Sequence, residues 1–271
     1  MYYNETNYEH FKHGERILDT ASVYLIVCPL VFLAGLIDSV AGGGGLISLP
    51  AYLAAGIPPH MALATNKCSS TFGTLLSTLR FMKNKRVHYL SAAISAAFAL
   101  LGSHLGAALS LYVDEKYLSY ILLAALPMIA VTVFIKKDFG THNKVDEVSQ
   151  TKLVLLSAAT GFIVGGYDGF FGPGTGMFLI LIYTGLIGFD LVTASGNAKI
   201  VNLASNVSAF LTFALSGNIL WQVGLPAALF GIAGNWLGSG LALKNGKKII
   251  RPMFLAALIL LFVKIAYDLI F

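Results

Sequence analysis

The sequence is poor in charge, since only 11% of its 271 residues are charged, against about 25% in an ordinary globular domain. It has only two cysteines, Cys28 and Cys68, in apolar or motif segments without metal-ligand spacing, so we expect free packing residues rather than a disulfide framework. Hydrophobic residues make up 56% of the chain, and the mean hydropathy is +0.76. This composition excludes a soluble globular domain and indicates a polytopic membrane protein surrounded by the lipid bilayer.

The sequence lacks the residues that several classes of function require. The formal net charge of +5 does not predict a nucleic-acid partner, because the cations stand in short clusters between apolar runs, where they act as topology signals. The glycine runs are not followed by the Lys-Ser or Lys-Thr pair of a nucleotide-binding loop. No nucleophile–base pair and no metal-ligand cluster is recognisable. We therefore expect neither an enzyme nor a bound cofactor or metal.

What the sequence does contain is the same motif twice. Segment 35–45 reads GLIDSVAGGGG and segment 165–176 reads GGYDGFFGPGTG, so that Asp38 and Asp168 lie 168 − 38 = 130 positions apart. Further matches at offsets of 130 to 132 are Asn66 with Asn197, Gly102 with Gly234, Leu105-Gly106 with Leu237-Gly238, and 123–126 with 255–258. A duplication of this length in so apolar a chain is typical of a transporter built around a central site.

We predict an all-α fold of two homologous repeats with about five membrane elements each. Repeat 1 occupies 21–135 and repeat 2 occupies 152–271, with a polar tail at 1–20 and a connector at 136–151. The predicted elements are 21–41, 46–55, 61–82, 89–112 and 117–135, then 152–171, 177–187, 191–216, 221–243 and 250–271. A glycine-rich break separates the first and second elements of each repeat, and the second element is short for a full crossing.

Equivalent loops of the two repeats differ in charge. The loop at 83–86 holds three basic residues and its counterpart at 216–220 holds no charge, whereas the loop at 114–116 is net negative and its counterpart at 244–251 holds four basic residues. Under the positive-inside rule, equivalent loops then face opposite sides, which requires an odd number of crossings per repeat. This favours inverted repeats, with the tail outside and the connector inside. The alternative is eight full spans plus two re-entrant segments.

The two glycine clusters are the first candidate for a binding site. Glycine costs a helix about 1 kcal/mol relative to alanine, and a helix break in a bilayer is tolerated only inside protein or beside a wet cavity. Helices that restart at Leu46 and Met177 would direct free N–H groups and a positive dipole end at an anion. The alternative is that the glycines only allow a sharp turn and close helix packing. The candidate residues are Gly42, Gly43, Gly44, Gly45, Gly172, Gly174, Thr175 and Gly176.

Charged side chains within the apolar stretches are the second candidate. Asp38 and Lys67 in repeat 1, and Asp168 and Lys199 in repeat 2, lie in or beside the repeated motif. An intramembrane charge is expensive and suggests function, here coupling or balancing the charge of a substrate. The alternative is that each aspartate caps a half-helix or pairs with the nearby lysine. The two lysines are not in register with the matched asparagines.

Polar residues that open the third element of each repeat are the third candidate. Thr65, Asn66 and Asn197 carry hydroxyl and amide groups, which bind anion oxygens without a permanent charge and so allow release. The alternative is helix capping and interhelical hydrogen bonding. We expect Asn66 and Asn197 to contact the anion symmetrically, because they match across the repeats, and the two glycine breaks to meet around one polar cavity near the membrane midplane.

These residues resemble a known family. The segment 35–50, GLIDSVAGGGGLISLP, followed by GIPP at 56–59 and ATNK at 64–67, is similar to the sulfite exporter TauE/SafE family, above all to its YfcA-like branch. The resemblance implies a multi-pass secondary transporter of sulfite, sulfonates or related sulfur-containing anions in the bacterial inner membrane. The residues alone indicate a repeat-built carrier of a small anion. An anion channel, or a transporter of another small carboxylate or oxyanion, is the alternative; the exact substrate, direction, coupling ion and oligomeric state stay open.

Overall fold

The computed structural model describes residues 20–114, 143, 145–246, 248–250, 252, 253 and 256. Regular structure in these residues is helical, without strands. The helices are α1 Thr20–Ala41, α2 Gly45–Ala54, α3 Pro59–Lys83, α4 Tyr89–Tyr112, α5 Gln150–Phe170, α6 Thr175–Ile182, α7 Leu191–Leu215 and α8 Trp221–Asn245. A 3-10 turn, Val145–Glu147, precedes α5, and a π-helical turn, Tyr183–Ile187, continues α6. The predicted tail and fifth elements, at 1–20, 117–135 and 250–271, lie wholly or largely outside the described residues.

The eight helices, with α6 taken together with its π-helical turn, match the eight predicted elements that fall in the described residues to within two residues at each end. Local chemistry explains several of the starts. Asp190 caps α7 by accepting from the N–H groups of Val192 and Thr193 at 3.0 and 3.2 Å, and Ser149 caps α5 by accepting from the Lys152 N–H. Pro59 occupies the first position of α3, where its missing N–H has no consequence.

Helix length separates membrane spans from shorter pieces. Four helices, α1, α4, α5 and α7, are long and apolar enough to cross a membrane. The helices α3 and α8 are each 25 residues long but are not among these four, and α3 is the more polar of the two. By contrast α2 has 10 residues and α6 with its π turn has 13, or about 15 and 20 Å at 1.5 Å per residue. Neither short helix can cross a hydrocarbon core of about 30 Å alone.

The helices α1, α3 and α8 run parallel to one another. Along α1 and α8, the hydroxyl of Tyr24 donates to the Gln222 carbonyl, and further along Ser39 meets Gly238. Between α3 and α8, Thr65 accepts from the Leu220 N–H and Arg80 donates to Ser239. Residue numbers rise together in both pairs, which fixes the common direction of this three-helix group.

A second group, α4, α5 and α7, runs in the opposite direction. Ser91 and Ser157 share a hydrogen bond between α4 and α5, and Ser103 contacts Gly169 twelve residues further on in each helix (103 − 91 = 12; 169 − 157 = 12). Between α3 and α7 the numbers run against each other, because Lys67 bonds to Asn206 whereas Thr78 bonds to the Lys199 carbonyl. The two groups are therefore antiparallel and meet along α3 and α7.

Small residues bring the helices of each group into backbone contact. A Cβ on Gly102 or Gly106 of α4 would overlap carbonyl oxygens of α5, and a Cβ on Gly234 or Gly238 of α8 would overlap carbonyl oxygens of α1. These four glycines are the matched pairs found in the sequence. Their role here is close helix packing, as is common in membranes.

Basic residues collect at one end of the bundle. The cluster at 83–86 follows α3, Lys244 lies in the last turn of the parallel helix α8, and Lys152 lies in the first turn of the antiparallel helix α5. The ends of α4 and α7 lie at the opposite end, where Asp114 is found. The described residues thus divide into a basic end and an end without lysine or arginine.

Candidate functional site

The two glycine-rich breaks lie against each other at the centre of the molecule. A Cβ on Gly42 would overlap the backbone of Gly176, and a Cβ on Gly176 would overlap that of Gly42. Gly42, Gly172 and Gly174 also have positive φ angles of 77°, 96° and 80°, which side chains rarely adopt. Both the turn and the close approach thus require glycine at Gly42.

Two buried ion pairs connect the halves of the chain. Lys67 Nζ lies 2.8 Å from Asp168 Oδ1, and Lys199 Nζ lies 2.6 Å from Asp38 Oδ2. Each lysine therefore pairs with the aspartate of the other half, and not with the aspartate nearest in sequence as in the alternative interpretation. Lys67 also donates to Asn206 Oδ1 at 3.1 Å, and Lys199 to the carbonyl of Asp38. Because each pair joins different helices, both stabilise the contact between the two helix groups.

The helix bounds correct the predicted register of α3 and α7. Both helices have 25 residues and begin 191 − 59 = 132 positions apart, so Lys67 and Lys199 (199 − 67 = 132) occupy the same position. Asn197 then corresponds to Thr65 (197 − 65 = 132) rather than to Asn66. Thr65 Oγ1 accepts from the Leu220 N–H at 3.1 Å, and Asn197 Oδ1 from the His88 N–H at 2.9 Å. Both side chains bind the residue that precedes a helix, α8 or α4.

A polar cavity lies between the breaks. It measures about 40 Å³, as the space open to the centre of a water-sized sphere. Ten of the predicted site residues line it, namely Asp38, Gly42, Gly44, Gly45, Asn66, Lys67, Asp168, Gly172, Thr175 and Gly176. The other five predicted residues, Gly43, Thr65, Gly174, Asn197 and Lys199, are not in its lining. Lys199 reaches it only through its ion pair with Asp38.

Several lining residues were not predicted as site residues. They are Ser48, Ser69, Ser70, Thr74, Asn202, Asn206 and Asn235. Asn235 is 4% exposed; its Nδ2 donates to the Gly231 carbonyl at 3.0 Å, and its Oδ1 has no partner in the described part of the chain. Spacing could have indicated some of them, since Asn202 and Asn206 stand one helical turn apart and about one and two turns after Lys199. Asn235 has no such signal, because it lies on α8, far from either motif in the sequence.

The cavity carries no net charge and offers uncharged donors. It is lined by Lys67, Asp38 and Asp168, and Lys199 supplies the second positive charge to Asp38. The N–H groups of Gly45 and Gly176, at the starts of α2 and α6, donate to no backbone carbonyl in the described residues. Together with the asparagine amides, these groups can bind oxygen atoms of a small anion.

Metal chemistry has no site in the residues that the structure describes, since no group of three or more His, Cys, Asp or Glu side chains is placed to hold an ion. Cys28 and Cys68 are free and buried. His104, in the apolar run of α4, shares a hydrogen bond with Thr212 at 2.9 Å.

Comparison with known proteins places the chain among membrane transporters. The family model described as "Sulfite exporter TauE/SafE" matches residues 27–265. "Probable membrane transporter protein YfcA" of Escherichia coli (strain K12) is 35% identical over 259 residues, which cover 93% of this chain and 95% of the relative. "Probable membrane transporter protein" of Haemophilus influenzae is 36% identical, with 88% and 92% covered, and "Probable membrane transporter protein ORF9" of Sinorhizobium sp is 38% identical, with 88% and 90% covered. No solved structure matches. The chain therefore belongs to the TauE/SafE family of membrane transporters.

Proposed function

We propose that the protein is a secondary transporter of a small sulfur-containing anion, such as sulfite or a sulfonate, across the bacterial inner membrane. The observation that carries this proposal is the polar cavity between the two glycine breaks, in the middle of a bundle of apolar helices. Family membership supports the sulfur-containing substrate, and the bacterial relatives support the location.

The size of the cavity supports a substrate of few atoms. Its space of about 40 Å³ exceeds the roughly 10–15 Å³ that one water needs, so it has room for a group of a few non-hydrogen atoms. Sulfite has four non-hydrogen atoms, and a small sulfonate has few more. A nucleotide or a long-chain acid would not fit the cavity in this conformation.

The uncharged donors support an anion that is held and then released. Lys67 and Lys199 are already paired with carboxylates, so neither is free to bind an anion tightly. The N–H groups of Gly45 and Gly176 and the amide of Asn66 remain as neutral donors. Binding by dipoles rather than by a free positive charge suits a transporter, because the substrate must also leave.

Helix directions support two inverted repeats that provide alternating access. The pairs α1 and α5, α3 and α7, and α4 and α8 are equivalent in the sequence duplication, and the two members of each pair run in opposite directions. The chain turns back between the parallel helices α1 and α3 through the short helix α2. Under the positive-inside rule the basic end faces the cytoplasm. Inverted halves around a fixed central site are the usual basis of alternating access.

Binding and counterflow experiments test this function. We expect the purified protein to show a thermal shift with sulfite or methanesulfonate that is absent with ammonium or glucose. In proteoliposomes, unlabelled methanesulfonate inside should drive transient uptake of labelled methanesulfonate, which a channel does not do. The Asn66→Ala variant should weaken both signals, whereas Asn84→Ala, an exposed position at the end of α3, should leave them unchanged. Anion binding without counterflow would indicate a channel. A selective response to carboxylates would indicate a carboxylate substrate instead of a sulfur-containing anion.

A further inference from the structure

The two carboxylates of the cavity are held unequally. Asp168 accepts from Lys67, from Thr175 Oγ1 at 2.7 Å and from Ser205 Oγ, and its side chain is 3% exposed. Asp38 accepts from Lys199 and, over 3.4 Å, from the Gly44 N–H, and its side chain is 14% exposed. One carboxylate is therefore enclosed by strong donors, and the other is partly free.

Glycines at two equivalent positions explain the difference. Thr175 corresponds to Gly45 (175 − 130 = 45) and Ser205 to Gly73 (205 − 132 = 73), so both hydroxyls that hold Asp168 are missing beside Asp38. Asn235 lies against Gly73 and Pro173 against Gly45, so no other hydroxyl among the described residues takes either place. The half that contains Asp38 thus offers fewer donors to its carboxylate, and the cavity extends beside it along Val31 and Ala34 of α1.

Charge balance then sets a condition on transport. In the structure two lysines and two aspartates cancel, and Lys199 is fully buried at 0% exposure. A monoanion that enters would leave one uncompensated negative charge in a low-dielectric site, which is strongly unfavourable. A proton on Asp38 removes that charge and frees Lys199 to face the anion.

We propose that Asp38 is the coupling residue, and that it takes up one proton for each monoanion carried; this rests on the proposed function of the cavity. Asp38 Oδ2, which accepts from Lys199 in the structure, forms an O–H bond with a proton from the aqueous side, and the anion replaces it as the acceptor of the ammonium group. On the other side the proton and the anion leave together, and the Asp38–Lys199 pair forms again.

The surroundings of Asp38 contain few other groups that could take this role. Lys199 from α7, Lys67 from α3 and Asp168 from α5 are the charged groups beside it. The described residues of α2, α6 and α8 that line the cavity carry no titratable side chain. Asp168 is the competing carboxylate, and it already accepts from three side-chain donors, Lys67, Thr175 and Ser205.

Coupling of one proton to each monoanion determines how accumulation depends on the membrane potential and on the pH difference. One proton per monoanion is electroneutral, so the membrane potential should not drive accumulation. A pH difference should drive it about tenfold per pH unit, because one unit corresponds to a tenfold ratio of proton activity. The direction of net transport then follows from the anion and proton gradients together.

The experiment uses labelled methanesulfonate in proteoliposomes, because this sulfonate does not titrate near neutral pH and every proton counted belongs to the protein. We expect the wild type to accumulate the anion about tenfold per unit of imposed pH difference. The Asp38→Asn variant, a neutral mimic of the protonated acid, should show no accumulation in response to pH, whatever rate of counterflow exchange it retains. The matched variant Asp168→Asn should keep the wild-type pH dependence in whatever transport remains.

The outcomes separate the two proposals. If the wild type shows no counterflow of methanesulfonate or of sulfite, the proposed function fails, and the coupling role fails with it. If the wild type exchanges the anion but Asp38→Asn still accumulates it in response to pH, only the role of Asp38 is overturned. Proton uptake by the wild type alone gives a check that needs no variant: about one proton per bound methanesulfonate supports coupling, and none overturns it.

Discussion

Removal of the charge of Lys67 should destabilise the protein strongly. The Lys67→Met change keeps most of the side-chain length but leaves Asp168, which is 2% exposed, without its positively charged partner. Breaking a buried ion pair by removing one partner costs about 3–5 kcal/mol. Thr175 and Ser205 still donate to the carboxylate, so we expect the low end of that range, about 3 kcal/mol.

The double variant Lys67→Met/Asp168→Leu tests the reason for that loss. It removes both charges, and replacing a buried ion pair with apolar residues of similar size is often neutral or stabilising. The two hydroxyls keep acceptors, because Thr175 Oγ1 also donates to the Gly172 carbonyl at 2.6 Å and Ser205 Oγ to the Asn202 carbonyl at 3.1 Å. The double variant should therefore be more stable than Lys67→Met alone.

Equilibrium unfolding in mixed detergent micelles measures both free energies, with Lys199→Met as the matched comparison. Its partner Asp38 is more exposed, at 14%, so this variant should lose less stability than Lys67→Met. The reasoning is refuted if Lys67→Met costs under about 1 kcal/mol, as an exposed ion pair would. It is equally refuted if the double variant is no more stable than the single one.

Three further predictions concern residues around the cavity and the helix contacts. Gly42→Val should abolish counterflow, because its Cβ would overlap the Gly176 backbone, and normal exchange in that variant would contradict the contact. Asn66→Ala should weaken anion binding by calorimetry about 5- to 150-fold, from a loss of about 1–3 kcal/mol; Asn197→Ala should leave binding unchanged and lower the free energy of unfolding, because Asn197 binds the His88 N–H instead. Gly106→Leu should prevent α4 from packing on α5, which a loss of folded protein in size-exclusion chromatography would reveal.

Much of the helical architecture could be predicted, because apolar composition and glycine clusters determine where a helix begins and ends from the neighbouring sequence alone. Apolar runs of 20 or so residues can only be satisfied as helices in a bilayer, and the bounds of α4, Tyr89–Tyr112, agree with the predicted element at both ends. The break before α2 could be recognised because four glycines in a row are too unfavourable for a continuous helix, and the break before α6 because glycines flank Pro173 at 172–176. The fifth elements fall on residues that the structure leaves undescribed.

The details of the site could not be predicted, since they depend on how the halves pack. The number of positions between equivalent residues of the two halves rises from 130 at the glycine breaks to 132 at α3 and α7. In the first half 14 positions separate Gly45 from Pro59 (59 − 45 = 14), and in the second half 16 separate Thr175 from Leu191 (191 − 175 = 16). The π-helical turn Tyr183–Ile187 lies within this longer segment, and π turns commonly accommodate inserted residues. Aligning Asn66 with Asn197 because both are asparagine therefore placed α3 and α7 one residue out of register. The equivalence of Lys67 and Lys199 was missed for the same reason.

The exchanged ion pairs determine which parts of the molecule can move independently. Lys67 of α3 binds Asp168 of α5, and Lys199 of α7 binds Asp38 of α1. Both pairs therefore cross from the group α1, α3 and α8 to the group α4, α5 and α7. Each group combines helices from both halves of the sequence. For the alternating access proposed above, we therefore infer that the bodies that separate are these groups rather than the repeats. Separation must break or replace both pairs, and the Asp38 pair has the fewer additional donors. Since a buried lysine without a counter-charge is unfavourable, the proposed coupling implies that the anion replaces Asp38 beside Lys199 before the groups part.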